Sequence, residues 1–132
     1  MDSQAFGVDI LLHPFLNALK PYQSEITGHL DLFMASNEDE FEGETESWQT
    51  ILIHGDPEGL RSFARLLLRL ADLPQDELPG LPLGAREHVH LRPDLDLSTS
   101  SVEVIVGRLD AKGTGVFYDR YVPKSDYQQP HP

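Results

Sequence analysis

The chain has 132 residues, no cysteine, and 22 acidic against 10 basic side chains, which gives a formal net charge of −12. This length fits one domain with one hydrophobic core, and the absence of cysteine excludes disulfides, thiolate catalysis and cysteine-type zinc sites. So negative a field repels phosphate backbones, which argues against direct binding of nucleic acid and for a basic partner. The alternative is that the charge only keeps the protein soluble.

The N-terminal region predicts a short helix and no membrane segment. Residues 8–19 are rich in Ile, Leu and Phe, but this apolar run is interrupted by Asp9, His13, Pro14 and Asn17. A signal peptide needs basic residues before its apolar part, and a membrane span needs about 20 apolar residues, so neither is expected. Pro14 suits the first turn of a short helix that ends near Lys20. We therefore expect a cytoplasmic protein.

Two predicted strands enclose the most acidic segment. Residues 26–34 alternate well enough for a strand, and residues 48–55 predict a second one. Six of the eleven residues 37–47 are carboxylates, and residues 1–60 carry −11 from 12 acids and one base. So charged a segment cannot bury itself, and it is predicted to be a mobile loop or a hairpin tip.

Two aromatic residues accompany these carboxylates, Phe41 within the segment and Trp48 at its end. In protein recognition, aromatic rings supply contact area, while carboxylates steer a basic partner to the surface. We therefore predict a partner-binding site made of Glu38, Asp39, Glu40, Phe41, Glu42, Glu44, Glu46 and Trp48. The alternative is a flexible insertion that only adds solubility.

The clearest helix signal follows the second strand. Asp56 is an N-cap residue, Pro57 suits the first helical position, and Glu58 complements the positive end of the helix dipole. The helix is predicted to end before Pro74. Apolar residues at helical spacing predict its buried face, which comprises Leu60, Phe63, Ala64, Leu67, Leu70 and Ala71.

The C-terminal half predicts short strands separated by turns. Residues 87–91 predict a third strand, and residues 101–110 predict a fourth that pairs with residues 116–122 in a hairpin. The elements together predict a single α+β domain over residues 1–124, with a mainly antiparallel sheet of four to five strands packed against one long helix. The polar residues 125–132 predict a flexible tail.

Two histidines of the third predicted strand, His88 and His90, point to the same face because they are two residues apart. They could supply two ligands to zinc or another divalent metal, but a site needs a third. The other candidate ligands have no motif spacing and are His29, His54, Asp94 and Asp96. We favour the reading in which Val89 and Leu91 face the core and the histidines face solvent, with no metal, no cofactor and no catalytic residue.

Three motifs have a familiar order: GDPEGL from Gly55, HVHL from His88, and the serines before the fourth strand. Over about residues 48–109, close to half of the chain, this order resembles the immunity protein 32 family of bacterial polymorphic-toxin systems. The N-terminal third and the acidic segment have no counterpart in the resemblance.

The resemblance implies a non-enzymatic protein of the cytoplasm that neutralises a cognate toxin by direct binding. Many such toxins are nucleases with basic clefts, which an acidic surface would fit. Two other classes stay open. One is a small metal-binding protein or metal-dependent enzyme centred on His88 and His90. The other is a structural or regulatory adaptor that forms a homodimer or a larger homo-oligomer through an exposed strand edge.

Overall fold

The computed structural model describes residues 22–125. Its strands and its helix are β1 (Leu30–Phe41), β2 (Glu44–Gly55), α1 (Pro57–Asp72), β3 (His88–Leu91) and β4 (Val104–Gly107), with a 3-10 turn at Gln75–Glu77. β1 pairs with β2 and β3 pairs with β4, in both cases antiparallel. The predicted α+β class with antiparallel strands is therefore confirmed. The predicted N-terminal helix lies outside the described residues, as does nearly all of the predicted tail.

The predicted single sheet of four to five strands is wrong. The described residues contain four strands in two separate two-stranded sheets. The helix that was predicted to be long has 16 residues and is not a long helix. Residues 116–122 form no strand, so the predicted C-terminal hairpin is also wrong. The Arg86 guanidinium holds this segment instead, because it donates to the Val116 carbonyl oxygen at 2.7 Å and lies 3.9 Å from the centre of the Tyr118 ring.

The segment between β3 and β4 ties the two sheets together. The Ser98 amide donates to the Leu30 carbonyl oxygen at 3.0 Å, and the Val102 amide donates to that of Leu32 at 2.8 Å. The base of the β1–β2 hairpin is thus attached to the second sheet. Beyond this base the hairpin is a two-stranded ribbon, and every residue from 38 to 51 is exposed.

The start of α1 follows the predicted capping pattern. The Asp56 carboxylate accepts hydrogen bonds from the Gly59 amide at 2.7 Å and from the His29 amide at 3.0 Å, and Pro57 is the first helical residue. The His29 bond joins the helix cap to the chain just before β1. A glycine at position 59 allows the backbone of His29 to approach the helix this closely, because a Cβ atom at this position would lie 1.8 Å from the His29 carbonyl oxygen.

The hydrophobic core lies between α1, the base of the hairpin and the inner face of β3 and β4. Its buried residues are Ile26, Leu30, Leu32, Leu66, Leu70, Leu91 and Leu97, with Phe63, Val89, Val104 and Val106 packed beside them. Because this burial removes a large apolar area from water, it is the main stabilising contribution to the fold.

The predicted buried face of α1 is correct at Leu70, and Phe63 is partly buried. It is wrong at four positions, since Leu60, Ala64, Leu67 and Ala71 are exposed. The buried side of the helix is instead formed by Gly59, Ser62, Leu66 and Leu70. The Ser62 hydroxyl accepts a hydrogen bond from the Thr27 amide at 3.1 Å, and Ser62 is only 1% exposed. Leu66, one turn further, is therefore the buried leucine in the middle of the helix.

Candidate functional site

The acidic segment is the outer part of the β1–β2 hairpin. Its strands run to Phe41 and Glu44, with Glu42 and Gly43 as the two turn residues. Both turn residues have positive φ, 53° and 82°, as in the tight turns whose twist matches that of paired strands. Of the two predicted alternatives, the structure has the hairpin tip rather than the mobile loop.

The register of the hairpin divides the predicted site residues between two faces. Asn37 pairs with Trp48, Asp39 with Glu46, and Phe41 with Glu44. Because directly paired residues share a face and successive residues alternate, one face carries both aromatic rings and three carboxylates. We call it the aromatic face, and its residues are Asp39, Phe41, Glu44, Glu46 and Trp48. Glu38 and Glu40 lie on the opposite face, together with Ser47 and Thr45, and Glu42 lies in the turn.

The side chains of the hairpin tip are presented to solvent. Phe41 is 67% exposed and Trp48 is 49% exposed, which is high for large aromatic residues. Within residues 22–125, none of the six carboxylates forms a salt bridge. Among the described residues, the tip therefore presents six carboxylates without an ion-pair partner beside two exposed rings. A shallow depression next to Trp48 is lined by Ser36, Asn37, Glu38, Ser47, Trp48 and Gln49.

The arginines of α1 do not bind this acidic tip. Arg65 forms a 2.8 Å ion pair with Glu58 on the same helix. Arg69 forms one with Glu25, which precedes β1. The pKa of the Glu58 carboxyl lies below its usual value. The largest cause is the hydrogen bond that it accepts from the Thr27 hydroxyl group, and the second is the hydrogen bond from Arg65. Both ion pairs fasten the chain before β1, or the helix itself, and neither involves a carboxylate of the hairpin tip.

The two histidines of β3 lie side by side on its outer face. Their ring centroids are 5.2 Å apart, and Nδ1 of His90 lies 3.5 Å from a carboxylate oxygen of Glu103. Leu91 is buried and Val89 packs on the core, so the predicted assignment of faces is confirmed.

No group of three or more metal-binding side chains occurs in the part of the chain that the structure describes. Three of the four scattered candidate ligands are engaged elsewhere. Asp96 accepts hydrogen bonds from the Tyr22 hydroxyl group at 2.7 Å and from the Arg92 amide at 2.9 Å. Asp94 accepts from the Thr99 hydroxyl group, and the ring of His54 packs against Phe33.

The division of the hairpin into two faces was not predicted, although the spacing of residues in the sequence indicates it. Asp39 and Phe41 are two residues apart, and so are Glu44, Glu46 and Trp48. With Glu42 and Gly43 taken as a two-residue turn, this spacing would have placed all five side chains on one face.

The geometry defines a small α+β protein that presents an acidic hairpin with two aromatic rings. Residues 50–109 match the family model described as Immunity protein 32, so the resemblance is confirmed over that segment. The matched segment contains the inner part of β2, α1, β3 and β4, and it excludes β1 and the hairpin tip. No curated protein and no solved structure matches the chain. None of the helices in residues 22–125 is long and apolar enough to cross a membrane.

Proposed function

We propose that this protein neutralises a cognate bacterial toxin in the cytoplasm by binding it directly, without catalysing a reaction. The observation that carries the proposal is the match of residues 50–109 to Immunity protein 32. An inhibitor that acts by binding needs an accessible, complementary surface rather than a set of catalytic residues. The exposed hairpin tip is such a surface.

We propose the aromatic face of the hairpin as the contact surface. Its carboxylates would attract a basic partner and speed the encounter, while Phe41 and Trp48 would supply the apolar contact area that slows dissociation. A nuclease with a basic cleft is the class of toxin that this surface fits best. The carboxylates of Asp39, Glu44 and Glu46 would then lie where the phosphates of the nucleic acid otherwise bind.

The position of the matched segment supports a division of roles along the chain. The segment holds the helix, the strands β3 and β4 and the inner part of β2, whereas the acidic tip lies outside it. We propose that the matched part provides the scaffold and that the tip determines which toxin is recognised. Replacement of residues 38–48 by a short uncharged turn should then abolish toxin recognition without unfolding the scaffold.

A titration of toxin activity tests the proposed function. The toxin encoded beside this gene would be purified and assayed with increasing amounts of the full-length protein. Direct binding predicts that inhibition is complete near a fixed molar ratio, with a stable complex in size-exclusion chromatography. Inhibition by far less than one equivalent would indicate catalysis and contradict the proposal, and so would a complete lack of protection.

A further inference from the structure

A second surface, away from the aromatic face, is apolar and exposed. The hairpin contributes Met34, Ile51 and Ile53, which are 51%, 62% and 47% exposed. The helix α1 contributes four exposed residues that share one side at helical spacing. We call the combined surface the apolar corner, and its helical residues are Leu60, Ala64, Leu67 and Ala71.

The two parts of the corner adjoin each other. Ile53 pairs with Leu32 and Ile51 pairs with Met34, so these residues share the face of the hairpin that the core begins to cover at Leu32. On the helix side, Leu60 stands over the end of β2, since a Cβ atom at Gly55 would lie 3.1 Å from Cγ of Leu60. The sheet face and the helix side thus adjoin each other at the end of β2.

We propose that residues 8–19 of the same chain cover the apolar corner. This segment contains eight apolar residues among twelve, namely Val8, Ile10, Leu11, Leu12, Phe15, Leu16, Ala18 and Leu19. Nothing else in residues 22–125 covers the corner, and an apolar patch formed by two elements is usually a contact surface. The chain therefore carries both an apolar surface and an apolar segment of 12 residues.

The point where the described chain begins places this segment within reach. Tyr22 is bonded to Asp96, and Glu25 is paired with Arg69 in the last turn of α1. Arg69 and Ala71 lie on opposite sides of α1, and the path around a helix about 10 Å wide is roughly 16 Å, which about five extended residues of about 3.5 Å each can span. Covalent attachment also gives the segment a high effective concentration at the corner, which favours it over a second copy.

The natural absence of cysteine allows a direct test with single introduced thiols. Ala64→Cys places a thiol in the corner, and Arg65→Cys places one on the neighbouring exposed position, about 100° around the helix. In the full chain, we expect the thiol of Ala64→Cys to react with a maleimide at least about tenfold more slowly than the thiol of Arg65→Cys. The difference should be the same at every protein concentration. Equal rates would overturn the proposal. Protection that grows with concentration would point to a second copy and would overturn it as well.

Cross-linking identifies what covers the corner without relying on a destabilising substitution. Ala64→Cys would be combined in turn with Leu11→Cys, Leu12→Cys, Phe15→Cys and Leu16→Cys, and each pair oxidised in dilute protein. The proposal predicts an intramolecular disulfide for at least one pair, and much less cross-linking when Arg65→Cys replaces Ala64→Cys. If no pair closes, or if both helix positions close equally well, residues 8–19 do not cover this corner.

Discussion

The hydroxyl oxygen of Ser101 accepts a hydrogen bond from the Leu32 amide at 3.0 Å, and it lies 2.9 Å from the Leu32 carbonyl oxygen. Both residues are buried. Leu32 is the last core residue of β1 before the exposed ribbon, so Ser101 fastens the hairpin at the point where it leaves the core. This contact gives a structural reason for a serine at position 101, three residues before β4.

Replacement of Ser101 should therefore weaken the attachment of the hairpin. Ser101→Ala leaves the buried amide of Leu32 without its partner, and we expect the free energy of unfolding to fall by about 1–3 kcal/mol. Urea denaturation followed by circular dichroism measures this change. Ser100→Ala is the matched control, since Ser100 is exposed, and it should cost much less. Equal losses for the two variants would show that the Leu32 contact is unimportant.

Gly59 provides a test in which helix propensity and packing predict opposite results. Propensity alone predicts that Gly59→Ala stabilises the helix by about 0.5–1 kcal/mol. The close approach of the His29 carbonyl oxygen predicts instead a severe loss, because the added Cβ atom would force α1 away from the chain before β1. Thermal unfolding distinguishes the two. Gly80→Ala is the control, as a Cβ atom there meets no atom within 4 Å.

The rotation of α1 can be checked with two neighbouring leucines. Leu66 is 1% exposed and Leu68 is 62% exposed. Leu66→Ala should lower the free energy of unfolding by roughly 2–5 kcal/mol, as for other fully buried leucines, whereas Leu68→Ala should change it by less than about 0.5 kcal/mol. Chemical denaturation of both variants is the measurement. A larger loss for Leu68→Ala would mean that the helix presents a different face to the core.

Features set by neighbouring residues were predictable from the sequence, and features set by distant contacts were not. Asp56 and Pro57 define the helix start through local hydrogen bonding and a fixed φ, so this start was predicted correctly. The buried face of α1 was predicted wrongly because Gly59 and Ser62 are part of it, and a pattern of apolar residues does not reveal that a glycine or a serine is buried. The strand predicted at residues 116–122 was wrong because Arg86, far away in sequence, holds that segment.

The candidate site was predictable in composition but not in arrangement. The carboxylates, Phe41 and Trp48 stand out by residue type alone. Their distribution over two faces depends on the register of β1 against β2, and a shift of one residue would move every side chain to the other face. Glu and Asp also disfavour strands, so the sequence underestimated how far the strands extend into the acidic segment.

Acid should destabilise the protein partly through Asp56. The His29 and Gly59 amides hold the pKa of the Asp56 carboxyl below its ordinary value of 3.8. The Asp56 carboxyl therefore binds a proton more readily in the unfolded chain than in the folded protein. Its contribution to stability is complete at a pH above the unfolded pKa, and it is lost as the pH falls through the lower pKa of the folded protein. Asn also caps helices but does not titrate. Asp56→Asn should thus flatten the fall in stability between roughly pH 5 and pH 2, as measured by urea denaturation across this range. An unchanged slope would contradict this role of Asp56.

The last prediction separates the two contributions that the hairpin tip is proposed to make to toxin binding. Neutralisation of Asp39, Glu44 and Glu46 by Asn or Gln should slow association and flatten its dependence on salt, with little change in the dissociation rate. Neutralisation of Glu38 and Glu40 on the opposite face should act in the same way, because steering depends on charge within a Debye length of about 8–10 Å rather than on contact.

The aromatic face should be distinguished by dissociation. Phe41→Ala should raise the dissociation rate if the ring is an anchor in the interface, whereas Thr45→Ala, on the opposite face of the same tip, should not. Kinetic binding measurements against the toxin at low and moderate salt give both rates, and circular dichroism checks that each variant is folded. If neither Phe41→Ala nor the neutralised variants alter any rate, the tip only adds solubility. The toxin interface would then have to lie on the scaffold formed by residues 50–109, where the ion-paired arginines of α1 and the histidine face of β3 are the next surfaces to test.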